Sequence, residues 1–171
     1  KETSFHKQVI SVELRAGSPC VIHELPLPVY KPIEIWHCEN IEEAIEKTGL
    51  KDGQTISFHH HLRNGDYLMK MVVDKIAEKG IKDITIASSS LSPCHDFLID
   101  YIEDGTVSAL ETSGLRGELG KYLTKNPGKL KKPVIIRSHG GRARAIEAGE
   151  LKIDVAFMGA PTCDRNGNAT G

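Results

Sequence analysis

From Ile41 onward the chain alternates short apolar runs with stretches whose apolar residues recur every three or four positions. The first such stretch places Ile41, Ala44, Ile45 and Thr48 on one helical face, and Gly49 stops it. Strand and helix then follow in turn. The runs TISF (Thr55–Phe58), ITIA (Ile84–Ala87), VSAL (Val107–Leu110), VIIR (Val134–Arg137) and IDVAFM (Ile153–Met158) predict strands. Helices are predicted from about Asp66 to Glu78, His95 to Ile102, Glu118 to Leu123 and Arg142 to Ala148, the last stopped by Gly149. Several of the strands are continuous apolar runs, as burial on both faces requires. The pattern predicts an α/β fold: a parallel-rich open sheet flanked by helices.

The first 40 residues read differently. Pro19, Pro26, Pro28 and Pro32 fall within SPCVIHELPLPVYKP, a spacing that resists helix and blocks central-strand pairing. Residues 1–40 are expected to form an extended arm that covers a surface or docks a partner, ahead of an α/β domain over 41–171. The chain begins with Lys1 and ends on the turn-like DRNGNATG, which reads as a piece of a longer protein.

Composition narrows the function. Lys plus Arg is 22 against 23 for Asp plus Glu, a formal charge of −1, so there is no electrostatic case for nucleic acid or an anionic membrane. No apolar run approaches the roughly 20 residues of a membrane span, and no signal peptide is visible. Cys20, Cys38, Cys94 and Cys163 are far apart and form no CxxC pair. Reduced thiols in the cytoplasm are the expectation.

In open α/β sheets, ligands bind beyond the carboxyl ends of the strands. The five segments at those ends are HHHLRNGD, SSSLSPCHD, ETSGLRG, SHGGRAR and GAPTCDRNGN. All should share one rim, and all are rich in glycine, hydroxyl, histidine, arginine or amide groups. Arg63, Arg116 and Arg142 recur beside glycines. Together with the N–H groups of helix first turns they make a rim suited to a carboxylate, a phosphate or an oxyanion. The candidate binding residues are His59, His60, His61, Arg63, Asn64 and Gly65 on the first segment, with Ser88 and Ser89 on the second. Ser113, Gly114 and Arg116 follow on the third, and His139, Gly140, Gly141 and Arg142 on the fourth.

The histidine triplet admits three readings. If the strand runs on, His59 and His61 point one way and His60 the other. Such a pair can ligate zinc, with Cys94, His95, His139 and Cys163 on neighbouring loops, but no ligand spacing is diagnostic. The histidines can equally be structural, or contact substrate directly. Glu111 closes the third strand toward the rim and is a candidate acid or base. Glu118 and Glu147 read as solvated helix residues. No nucleophile elbow, Walker loop or GxGxxG turn occurs.

The stretch GLKDGQTISFHHHLRNGDYL resembles the first strand, loop and helix of the CoA-transferase superfamily. ARAIEAGELKIDVAFMGAPTCDRNGNATG resembles its last strand and Asp–Gly–Asn turn. More narrowly, SFHHHLRNGD, ETSGLRG and IIRSHGGRARAIEAGELKIDVAF resemble the alpha chains of citrate lyase, in order, from about Ile41 to Gly171. The resemblance implies a NagB/RpiA/CoA-transferase-like domain, the first of two related halves. It also implies a citrate CoA-transferase activity, in which citrate replaces acetate on the thioester of an acyl-carrier subunit. The substrate arm is then a phosphoribosyl-dephospho-CoA thioester, with no tightly bound cofactor and no metal. The implied partners are a beta chain, which cleaves the citryl thioester to oxaloacetate, and the acyl-carrier gamma chain, in an oligomeric complex.

One departure stands out. Many CoA-transferases have a glycine-rich GGF loop where this chain has His60-His61-Leu62. A plain backbone oxyanion hole there is in doubt, and histidine and arginine side chains contacting carboxylates take its place. The resemblance puts the CoA-transferase glutamate in the other half, outside this chain. Two rival readings are a CoA-transferase for other short acids, such as citramalate, and a non-catalytic half-domain that binds anions or partners. A metal-dependent hydrolase is a third.

Overall fold

The computed structural model describes residues 9–12, 35–59, 67–162, 164, 166, 168 and 170. Contacts divide the chain into two compact units, one of Lys1–Gly49 with Ala160–Gly171 and one of Leu50–Gly159.

In the first unit, β1 (Val9–Val12) and β2 (Ile35–Cys38) pair in parallel. The four prolines between them lie outside the described residues. Helix α1 (Ile41–Thr48) has the predicted bounds. The Asn40 side chain accepts from the Glu43 N–H at 2.9 Å, and the Glu43 carboxylate accepts from the Glu39 N–H at 2.9 Å. Gly49 closes the helix at φ 63°, a left-handed conformation that costs other residues far more.

The second unit is an open sheet of five strands in the order β6-β5-β4-β3-β7, all parallel. These are β3 (Thr55–His59), β4 (Ile84–Ser88), β5 (Val107–Thr112), β6 (Ile135–Ile136) and β7 (Val155–Met158). Helices α2 (Leu68–Glu78), α3 (Leu98–Glu103), α4 (Gly117–Lys125) and α5 (His139–Glu147) connect them. The predicted parallel α/β sheet is the observed one, and its strands' carboxyl ends share one edge.

The differences have local causes. The helix predicted from His95 is split into a 3₁₀ turn over Pro93–His95 and then α3, because Ser92 and His95 close a capping box around Pro93. Helix α5 starts at His139, three residues earlier than predicted. The Ser138 hydroxyl accepts from the Gly141 N–H at 3.0 Å, and this cap outweighs the poor helix propensity of Gly140 and Gly141. Strand β6 is cut to two residues at the sheet edge, just after Pro133, which has no N–H to donate.

Register partners in a parallel sheet point to the same face, so the two faces can be read off directly. One carries Ile56, Phe58, Ile84, Ile86 and Leu110, all buried, and the Phe58 and Phe157 rings stack there at 5.6 Å. The other carries Thr55, Ser57, Thr85, Ala87, Ala109 and Glu111. Helix α5 covers this second face, where Ala145 and Leu151 pack on Ala87. Chain order explains the split. From β3 to β6 each crossover moves one strand in the same direction, whereas β6 to β7 returns across the sheet to the far side of β3. Right-handed crossovers therefore put α5 on the face opposite α2. The order reverses between β3 and β7, where ligands enter such sheets.

Candidate functional site

Arg142 sits on the inner side of α5, over the face of small side chains. Its Nη2 donates to the Ser57 hydroxyl at 2.7 Å and to the Ala87 carbonyl at 3.3 Å. The site exists because Ser57 and Ala87 are small. A leucine at either position would fill the space the guanidinium occupies. Nη1 is buried and has no hydrogen-bond partner among the described residues. Burial pulls the pKa of Arg142 below the ordinary arginine value, and the nearby Glu111 charge partly opposes this. The group stays a cation at neutral pH. A buried cationic N–H without an acceptor is costly.

The surrounding charges are already paired. Arg137 Nε donates to Glu111 at 3.1 Å, with side-chain exposures of 23% and 15%. Arg137 Nη1 lies 3.5 Å from Glu150, which also takes two bonds of 2.8 Å from Arg144. Those bonds hold the Glu150 carboxyl below the usual carboxylate range. Glu111, the candidate acid or base, is thus a half-buried partner of an arginine.

The loops beyond β4 and β5 are zipped together. Leu91 N–H donates to Gly114 O at 2.7 Å and Arg116 N–H to Leu91 O at 3.0 Å. The Ser88 hydroxyl donates to Ser90 O at 3.0 Å, and that of Ser113 to Ser89 O. A side chain at Gly114 would crowd the Ser90 hydroxyl at 3.3 Å. Ser88, Ser89, Ser113 and Gly114 therefore build the rim's frame. Arg116 is exposed at the start of α4. That helix is capped from a distance, since Asp96 accepts from the Leu119 N–H at 2.9 Å. Gly117, at φ 79°, leaves room for it, and a Cβ there would lie 2.6 Å from the Asp96 carboxylate.

His59 is exposed at the end of β3, level with Met158 of β7. His60, His61, Arg63, Asn64 and Gly65 lie outside the described residues, as does Cys163. His139 and Gly140 are exposed in the first turn of α5. His95 is buried, and its Nδ1 accepts from the Ser92 N–H at 3.0 Å, which leaves the proton of the neutral ring on Nε2. Among the described residues no three of His, Cys, Asp and Glu gather where they could hold a metal. The described residues include no helix long and apolar enough to cross a membrane.

Residues 35–171 match the family described as "Citrate lyase, alpha subunit (CitF)". The chain belongs to the citrate lyase alpha-subunit family. It is 53% identical over 134 residues to the citrate lyase alpha chain of Escherichia coli, covering 78% of this chain and 26% of that one. The Haemophilus influenzae citrate lyase alpha chain is 52% identical over the same shares. The chain thus spans about a quarter of the length of these relatives. A Streptococcus mutans protein described as an alpha subunit of citrate lyase, crystallised in complex with citrate, superposes with a TM-score of 0.76 at 54% identity. That match covers 85% of this chain and 28% of the other.

Within this citrate lyase alpha-subunit segment, two residues at the site were missed in the sequence. Ser57 lies inside an apolar strand, and Arg137 closes another. Both carried a readable signal: a polar group within or closing an apolar run favours a position where it finds a partner. Ser57 finds Arg142, and Arg137 finds Glu111.

Proposed function

We propose that this segment binds the citrate of an acyl exchange in which acetyl thioester and citrate give citryl thioester and acetate. One observation carries the reading: the half-buried Arg142, whose buried Nη1 is unused, beside the point where strand order reverses. Citrate has three carboxylates. One must be activated for transfer, which leaves others to be held, and a guanidinium matches a carboxylate in shape and charge. The family membership and the citrate found in the Streptococcus mutans relative support this substrate. The thioester is that of an acyl-carrier gamma chain, and a beta chain cleaves the citryl product, within an oligomeric complex of the cytoplasm. His59, two residues beyond Ser57 on β3, lies on the same face of the sheet.

Replacing Arg142 by Ala in a full-length alpha subunit that carries this sequence tests the proposal. The citrate KM should rise about tenfold or more, as expected when a charged hydrogen bond is lost. Arg142→Lys should restore only part of it, because lysine lacks the planar fork. An unchanged KM in both variants would rule the site out.

A further inference from the structure

Arg137, Arg142 and Arg144 stand near Glu111 and Glu150 on one face of the sheet. Of these three arginines, Arg142 has no bond to a carboxylate among the described residues, although Glu111 is close to it. Glu111 and Ala87 are register partners on adjacent strands, which lie about 4.8 Å apart, and Arg142 Nη2 rests on the Ala87 carbonyl. A half-buried carboxylate this near an open guanidinium donor is its natural partner. Instead Glu111 is taken by Arg137 Nε at 3.1 Å.

Arg137 is itself fixed. Its N–H donates to Thr112 O at 2.9 Å, carrying the β5–β6 ladder one residue further. Its Nη1 faces Glu150, and Arg144 grips that carboxylate with two bonds of 2.8 Å. The guanidinium of Arg137 is therefore clamped between two carboxylates, and Glu111 is turned to it.

We infer that Arg137 is a positioning residue: by holding Glu111 it keeps that carboxylate off Arg142 and leaves Arg142 open to a carboxylate of the substrate. The inference rests on the reading of Arg142 as a substrate ligand. Without Arg137, Glu111 becomes an internal competitor that occupies Nη1 before citrate arrives.

The test uses a full-length alpha subunit that carries this sequence and steady-state exchange kinetics with citrate. Arg137→Met keeps an unbranched apolar stem and removes the charged head. It should raise the citrate KM about tenfold while kcat changes less than about twofold. Adding Glu111→Gln removes the competitor, and the double variant should bring KM back to within about twofold of wild type. An unchanged KM in Arg137→Met overturns the inference. So does a raised KM that Glu111→Gln fails to restore, since Arg137 would then act as plain scaffold or touch the substrate itself. Arg142→Ala separates the two levels. If it leaves KM unchanged, the substrate reading fails; if it raises KM while Arg137→Met does not, only the role of Arg137 fails.

Discussion

The two faces of the central sheet are built for different tasks. One is lined by Ile56, Phe58, Ile84, Ile86 and Leu110, all buried and all large. Burying each such side chain contributes about 1.5–3 kcal/mol, so this face supplies most of the sheet's packing. The other, one residue out of step along each strand, is lined by Thr, Ser, Ala and Glu. It gives up hydrophobic area and admits a guanidinium in return. The same three strands thus carry the core on one side and seat Arg142 on the other. The exposed edge strands β6 and β7, where Ile136 and Met158 face outward, contribute to neither in the same degree.

Four substitutions break or sharpen this contrast. The largest stability loss should come from Ile86→Ala on the aliphatic face, about 2–5 kcal/mol in a denaturant titration. Ala87→Leu, one residue along and on the opposite face, should cost less, about 1–3 kcal/mol. It should also abolish citrate saturation, because leucine fills the space under Arg142. If Ala87→Leu lost stability with normal citrate kinetics, the small face would be mere packing. Gly117→Ala tests the rim's frame. A positive φ costs alanine about 1–2 kcal/mol, and the new methyl would press on Asp96. Thermal melting should show that loss.

The smallest effect belongs to the helix layer on the aliphatic side, where Tyr101 donates to Asp74. Tyr101→Phe should cost about 1 kcal/mol at neutral pH. Burial, helped by that hydrogen bond, pushes the Tyr101 pKa up from 10.0 to about 12. The raised value means that the folded state favours the neutral phenol. Its contribution is complete below pH 10 and is lost as pH rises through about 12. Tyr101→Phe should therefore flatten the fall in stability across that window, and an unchanged alkaline profile would contradict it.

The aliphatic face was largely legible in the sequence. TISF, ITIA and VSAL announce strands, and alternation with helical stretches announces a parallel sheet. The rim was legible too, since parallel strands put every polar terminal segment on one edge. Helix ends were less so. Ser138 and Ser92 shift them by capping, a local hydrogen bond that outweighs the hydrophobic period. What periodicity could not reveal was pairing at a distance. Ser57 and Arg142 are 85 residues apart, and Glu111 and Arg137 are 26 apart. Only the sheet's register brings them together. The histidine triplet shows the complementary limit. Its first member, His59, lies at the carboxyl end of β3 as expected, while His60 and His61 lie outside the described residues.

The central claim is that the face of small side chains holds a carboxylate of citrate on Arg142. A structure of a full-length alpha subunit carrying this sequence, solved with citrate bound, tests it directly. It should place a carboxylate oxygen within hydrogen-bond distance of Arg142 Nη1, with Glu111 still on Arg137. Citrate bound elsewhere, with Nη1 still lacking an acceptor, would contradict the account.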